Sequence, residues 1–394
     1  MNKAVLETEV QAYIARHLNA DPIALLLKKS PFPAVSQKEL VSQIIGKKKS
    51  ENKLPTWFAT QGIYYPPKLN LAQTSSERTA AYKAALVKGT TLADITGGFG
   101  VDAHAFAQTF QKVYHLEKQV DLSAMAEHNF KVLGEDNIQT IATDGLEWLQ
   151  TYQEVLDCIY VDPSRRDESK NKVFLLEDCQ PNVVQAMDLL LKKSDIILVK
   201  TGPLLDISAG LHQLPHVAEL HIVAVDNEVK ELLWLIKKGF AGDCNVHTRN
   251  FQRSGMQRFD FPYNELATAP AAYSEPLTYL YEPNAAIMKS GAFQRVGAAF
   301  GVQKLHPNTH LYTAETLLGF PGRRFEVKEV LPYKKSALKS LNLQKAHITR
   351  RNFRLSVAQL RQQSRIKEGG DDYLFFTTGP RGQALVVHVR KASG

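Results

Sequence analysis

Four acids stand at the ends of successive apolar segments. They are Asp94 in "LADITGGFG", Glu117 in "KVYHLEK", Asp144 in "IATDGLEWL" and Asp162 in "CIYVDPSRR". Just past the first lie Gly97, Gly98 and Gly100. Glycine permits positive φ and lets a ligand approach the main chain. A P-loop needs G-x-x-x-x-G-K-[ST], which is absent. "GFGVDA" formally matches the dinucleotide element G-x-G-x-x-G/A, and Glu117 follows it roughly 20 residues after the first glycines, as an NAD ribose acid would. The competing ligand is S-adenosylmethionine, which is cationic at its sulfonium and amine and carries no phosphate. A carboxylate beside the glycine turn suits that charge and would repel a pyrophosphate. Asp94 therefore discriminates, in favour of the sulfonium ligand. Glu117 can take both ribose hydroxyls as an acceptor. Asp144 can accept from an adenine amine, or simply cap a helix.

These acids need elements that bring them to one edge. From Thr91 to about Pro262, apolar strands alternate with helical stretches. Strands are expected at "TLADIT", "KVYHLE", "IQTIAT", "LDCIYVDP", "DIILVKT" and "ELHIVAVD", with helices such as "DLSAMAEHNFKVLG" and "QPNVVQAMDLLLKKS" between them. Such βαβ alternation predicts an α/β fold with a doubly wound parallel sheet. Ligands bind such sheets at the carboxyl ends of the strands, where all four acids fall. Residues 1–75 read as a helical region, with Asp21 and Ser36 as N-caps. "YYPPKLNLAQ" reads as a loop and "TAPAAYSEP" as a linker. Beyond the linker lies a smaller α+β region.

The chain has 394 residues, of which 44% are hydrophobic, enough for a sizeable core in two or three domains. Its net charge of +8 is unevenly spread. From Pro321 to Gly394, Lys and Arg outnumber Asp and Glu 16 to 5, a local +11, so the rest of the chain carries −3. A basic end of this kind is a footprint for a polyanion such as RNA, against the plainer reading of a solvated basic surface. Three cysteines, Cys158, Cys179 and Cys244, form no C-x-x-C pair. That argues against a disulfide scaffold and for a reducing compartment. With no signal-like start and no long apolar run, a cytoplasmic protein is expected, with no membrane contact. His104, His115 and His128 lack metal-ligand spacing, and His212 and His216, four apart, have a proline between them and no third ligand, so no metal is expected.

"DITGGFGVDA", "HLEK", "ATDGLEWL" and "YVDPSRR" together resemble class I SAM-dependent methyltransferases over residues 76–265. The T-x-G-x-G-x-D element, Thr96 to Asp102, is similar to that of bacterial ribosomal-RNA guanine-N2 methyltransferases. "YLYEPNAAIMKSGAF", "LYTAETLLGFPGRRFEV" and "AHITRRNFRLSVAQLRQQSRIKEGGDDYLFFTT" resemble a Bacteroidetes-type family with C-terminal ferredoxin-like and THUMP-like domains. The resemblance implies a Rossmann-like sheet over 76–265, a ferredoxin-like segment over 276–320 and a basic THUMP-like RNA-binding domain over 321–394. It implies S-adenosylmethionine held by Asp94, Thr96, Gly97, Gly98, Gly100, Asp102, Glu117 and Asp144. It also implies an RNA substrate, ribosomal or transfer.

Methyl transfer is an in-line displacement, so the enzyme mainly positions donor and acceptor. An exocyclic purine amine is a poor nucleophile, because its lone pair is delocalised into the ring. An acceptor that takes its N–H can reorient that lone pair. Asp162, with the carbonyl of Pro163, is the candidate. Related N-methyltransferases read [DN]-P-P-[FYW], with an aromatic to stack on the base. This chain departs, reading Asp162-Pro163-Ser164-Arg165. Arg165 or Arg166 can stack on a base or hold a phosphate instead, or form a salt bridge with Asp162 or Asp167. Pyrimidine C5 methylation needs a cysteine near "ILVKTGP", where Lys200 stands; it either lines the cleft or is a solvated strand end. In the tail, Arg350, Arg351, Arg354, Arg361 and Arg365 have helical spacing that can align them on one face for RNA. The alternatives are a NAD-dependent oxidoreductase with a basic appended domain, and a non-catalytic RNA-binding protein.

Overall fold

The computed structural model describes residues 1–66, 74–165, 176–266 and 270–392. Part of the "YYPPKLNLAQ" loop, Arg166, Asp167 and the start of the "TAPAAYSEP" linker lie outside them. The chain divides into two units, Met1–Ala218 with Leu233–Ala241, and Glu219–Leu232 with Gly242–Gly394.

The first unit opens with helices Thr8–Arg16, Pro22–Leu26 and Gln37–Lys53. Asp21 accepts from the Ile23 amide at 3.1 Å. Ser36 and Glu39 form a reciprocal capping box, which satisfies two amides that a helix start leaves bare. Val10, Ile14, Leu25, Leu40, Val41 and Ile44 pack these helices into a core of their own.

The sheet of this unit is built from β1 (Thr91–Asp94), β2 (Lys112–Leu116), β3 (Ile138–Ile141) and β4 (Cys158–Val161). The two-residue β5 (Ser164–Arg165) and β6 (Cys179–Gln180) pair with each other, and β7 (Ile196–Thr201) completes the parallel set. The order is β7-β4-β1-β2-β3, and each of these neighbouring pairs is parallel. The chain therefore reverses its winding between β1 and β4, the switch point where such sheets open a crevice at their carboxyl edge. Leu92, Ile159, Tyr160, Val161, Leu198 and Val199 are almost wholly buried, as strands covered on both faces require.

Six expected strands are present; the sixth belongs to β8 (Val217–Val225). The expected alternation stops there. Asp226 and Asn227 both take positive φ, 49° and 63°, and turn the chain directly into β9 (Glu228–Lys237) without a helix. Two such residues make the two-residue turn that favours a hairpin. The end of β9 lies beside β7.

In the second unit, β10 (Asn245–Gln252) pairs parallel with β8, and β11 (Gly255–Pro262) antiparallel with β10. A separate seven-stranded sheet follows. Its strands are β12 (Tyr279–Pro283), β13 (Gln303–His306), β14 (Thr309–Ala314), β15 (Gly322–Pro332), β16 (His347–Arg351), β17 (Asp372–Thr378) and β18 (Ala384–Lys391). The order is β13-β14-β12-β15-β18-β17-β16. Strand side chains alternate between faces. Phe375, Val387 and Val389 enter one core with Leu280 and Phe325, while Leu374, Phe376 and Val386 enter another with Phe353 and Leu360. Both faces of this sheet are thus covered.

Candidate active site

β1 ends at Asp94, which is buried, with Oδ1 accepting from the Thr96 amide at 3.1 Å and the Thr96 hydroxyl at 3.3 Å. Burial first, and then the Asp102 charge, raise its carboxyl well above the ordinary range against the Thr96 amide. Thr96 Oγ1 in turn accepts from the Asp162 amide at 2.7 Å. One hydroxyl therefore ties the end of β1 to the end of β4.

The glycine turn runs from β1 toward the helix Val101–Ala107. A Cβ on Gly97 would stand 2.5 Å from Nε2 of the buried His115, so only glycine fits. Gly98 has φ +58°, and its amide donates to Oε2 of Glu117 at 3.0 Å. Glu117 Oε1 accepts from the Gln119 amide at 2.7 Å. The carboxylate at the end of β2 thus faces the turn, as the sequence suggests, but it is also held by main-chain donors. Gly100 has φ +92° and lies against Phe130, where a Cβ would come within 2.3 Å of the ring. His115 escaped sequence reasoning except as a failed metal ligand. Burial pushes its imidazole down to about 4, so it is a neutral floor beneath the turn.

Asp102 lies in a different setting. Its carboxylate meets the wholly buried Lys83 ammonium at 3.2 Å and accepts from the hydroxyls of Ser75 and Tyr160, each at 2.9 Å. Burial alone would raise it; Lys83, then Lys200 and the hydroxyls, outweigh burial and hold it below the ordinary range. Asp144 caps the helix Gly145–Thr151, with Oδ1 accepting from the Leu146 and Glu147 amides at 2.9 and 3.3 Å. Its neighbour Gly145 has no room for a Cβ against Ile95 O.

Asp162 follows β4 and is one-third exposed. Lys200, near the end of the adjacent β7, donates to its Oδ2 in a short ion pair. The register explains this, since Val161 and Val199 are paired neighbours, so the next residues on each strand meet. Pro163 is buried. Arg165 falls in β5; Arg166 lies outside the described residues. Asp94, Thr96, Gly97, Gly98, Glu117 and Asp162 converge at one edge of the sheet, joined by the bonds above.

Comparison with known proteins decides the family. The chain is similar to the "putative methyltransferase" of Porphyromonas gingivalis W83, known from its crystal structure, with 33% identity, 99% of each chain covered and a TM-score of 0.89. The chain belongs to that methyltransferase family. Residues 89–200 match the family described as RNA cap guanine-N2 methyltransferase. Residues 279–321 match a ferredoxin-like domain, and residues 322–391 a THUMP domain-like family. An rRNA methylase of Streptococcus thermophilus is similar at 15% identity, covering 41% of this chain and 94% of its own, with a TM-score of 0.30. The M. jannaschii tRNA m1G37 methyltransferase is similar at 14% identity over 42% of this chain and 50% of its own, with a TM-score of 0.30. No curated protein matches by sequence.

The basic end of this methyltransferase departs from a single helical face. Arg350 and Arg351 lie on β16; Asn352 takes φ +49° and Ser356 caps a new helix, Val357–Ser364, so strand, turn and helix share the five arginines. Arg361 turns inward, pairing with Glu368 and donating to Ile366 O at 3.1 Å. Arg365 is the exposed C-cap, with φ +61°. Arg350, Arg351 and Arg354, with Arg323, line a concavity of about 1040 Å³ that also includes Thr349, Asn352 and Thr378. Arg323 and Arg351 share the buried Glu282. Arg350 donates to Phe353 O at 3.0 Å, and Arg354 is exposed. Among the described residues, no helix is long and apolar enough to cross a membrane.

Proposed function

We propose that this protein is a cytoplasmic RNA methyltransferase that uses S-adenosylmethionine and acts on a purine exocyclic amine of ribosomal or transfer RNA. The observation that carries the reading is the buried Asp94 beside the Gly97–Gly98 turn. An acid that burial and a neighbouring carboxylate drive toward neutrality regains its charge most readily opposite a cation. A pyrophosphate in the same place would meet carboxylates, which disfavours NAD. Space at Gly98 is open, since a Cβ there would meet only Thr96 O, at 3.7 Å. When bound, the cofactor supplies a methyl group on a sulfonium. Glu117 accepts its hydroxyls, Thr96 and Asp102 hold the framework of the turn, and Asp144 fixes the start of the helix beside it.

Asp162 is the acceptor for the amine. Lys200 takes Oδ2, and Oδ1 receives the N–H, which frees the nitrogen lone pair for in-line attack. Pro163 offers its carbonyl, and Arg165, two residues further along the chain, is assigned the base or the phosphate. The reading divides the chain into a helical region (1–75), a catalytic domain (76–265), a ferredoxin-like segment (276–320) and a basic THUMP-like domain (321–394). The last domain binds RNA through Arg350, Arg351 and Arg354, with Arg365 at its edge and Arg361 as a brace. The test is calorimetry with S-adenosylhomocysteine and NAD, followed by methyl transfer from labelled S-adenosylmethionine to total RNA. Binding of the first with labelled RNA supports the reading. Tight NAD binding without methyl-donor binding overturns it.

A further inference from the structure

The second unit gathers imidazoles that the sequence scatters. In a strand, residues two apart face the same side. Glu219 and His221 are two apart on β8. The parallel register sets His247 on β10 opposite His221, and the antiparallel register sets Asp260 on β11 opposite His247. Four titratable side chains from three strands therefore share one face.

Their atoms converge. Glu219 Oε2 stands 3.2 Å from His221 Nε2 and 3.6 Å from His247 Nε2. The two rings stack with centroids 4.6 Å apart and an 18° interplanar angle, which presents both Nε2 atoms to the same carboxylate oxygen. All three ligand atoms lie within 4.8 Å of one another. Around a tetrahedral ion with bonds of about 2.0–2.2 Å, ligand atoms stand roughly 3.3–3.6 Å apart. Both contacts to the carboxylate fall close to that spacing.

We propose that Glu219, His221 and His247 form a binding site for a divalent transition-metal ion of the zinc class. Asp260 is the positioning residue. Its Oδ1 lies 3.4 Å from His247 Nδ1, which holds the proton on that nitrogen and turns the Nε2 lone pair toward Glu219. Arg249 pairs with the same Asp260, so its guanidinium charge is matched rather than aimed at the ion. His221 is buried, whereas Glu219 and His247 keep 26% and 21% of their side chains exposed, which leaves the ion a route in and a coordination position for water or a ligand. One carboxylate and two imidazoles suit zinc, cobalt or nickel better than magnesium or calcium, which prefer oxygen ligands. The site would clip β8, β10 and β11 together.

The full chain, freed of metal with a chelator and titrated with Zn²⁺ alone, tests this. One equivalent should bind and raise the thermal midpoint, as any ligand of the folded state must. Co²⁺ should give the visible absorption of a low-coordinate site containing nitrogen ligands. His247→Ala and Glu219→Gln should each weaken Zn²⁺ binding more than Asp260→Asn, which should cost about 10–100-fold. Metal-free unfolding curves show whether each variant folds, and imidazole ¹H–¹⁵N shifts of the unaltered chain on adding Zn²⁺ give the answer without any variant. No bound equivalent, or wild-type affinity in folded His247→Ala and Glu219→Gln, overturns the proposal. In that case Glu219 merely accepts hydrogen bonds from two rings.

Discussion

Lys200 on β7 is ion-paired with Asp162, the residue after β4, at the carboxyl edge of the sheet. The pair joins neighbouring parallel strands and leaves both groups partly accessible, at 12% and 33% of their side chains. A cation on one carboxylate oxygen fixes the direction in which the other oxygen accepts. A lone aspartate at a strand end would have no such constraint.

Asp162→Ala is expected to cut methyl transfer while leaving cofactor affinity within about tenfold, since the acid acts on the acceptor amine. Lys200→Met should lower turnover without moving cofactor affinity, by freeing Asp162 from its fixed orientation. Single-turnover rates and calorimetry on both variants check this. Full turnover in Asp162→Ala would make the acid structural.

Glu117→Ala removes an acceptor for ligand hydroxyls, and also the partner of the Gly98 and Gln119 amides. Cofactor affinity should fall by about 1.5–3 kcal/mol, the range for a hydrogen bond to a charged group. Titration with S-adenosylhomocysteine measures it. Unchanged affinity would remove Glu117 from the pocket.

The Asp94 carboxyl is raised above its ordinary value, so the folded chain holds a proton that the unfolded chain has lost. Its contribution to stability therefore falls as pH rises from the unfolded value of about 3.9 through the raised one. Affinity for a cationic ligand should move the other way, rising with pH as Asp94 ionises. Asp94→Asn should flatten that rise and relieve the loss of stability. Calorimetry at several pH values decides; a profile identical to wild type would exclude Asp94 from the ligand.

Asp102 has the opposite sign. Its lowered carboxyl contributes stability above about pH 4, lost as pH falls through the folded value. Lys83→Met leaves a nearly buried carboxylate without its cation and should cost about 3–5 kcal/mol near neutrality. The gap between wild type and variant should close in acid. Urea unfolding at two pH values measures both; a small, pH-independent difference would mean that the hydroxyls of Ser75 and Tyr160 suffice.

The parallel strands and the glycine turn were legible because each carries local chemistry: β-branched runs, a turn that excludes side chains, and acids at strand ends. Asp144 was ambiguous, since capping and ligand binding ask for the same residue at the same place. The pairing of Lys200 with Asp162 needs the register of β4 and β7, which periodicity does not contain. The same holds for His221 and His247, whose neighbourhood is created by β8 and β10 lying side by side. The five tail arginines looked helical by spacing alone. Asn352 with positive φ breaks that spacing, and Glu282 and Glu368 claim three of the surrounding cations, a competition that sequence distance conceals.

That competition decides which arginines to alter for RNA. Arg351 and Arg361 are braced by acids, so replacing them confounds binding with stability. Arg350 and Arg354 line the concavity, where Arg350 donates to the main-chain oxygen of Phe353 and Arg354 is exposed. Arg350→Glu with Arg354→Glu, in the full chain, should weaken RNA binding and leave S-adenosylhomocysteine affinity unchanged. The wild-type affinity should fall with salt, because arginines displace counterions from phosphates. The variant should flatten the plot of log affinity against log salt by about one unit per lost phosphate contact. An apolar partner surface would show neither effect. Equal affinity and equal slope in both proteins would mean that this concavity serves something other than RNA, and the +11 excess after Gly319 would lose its proposed role.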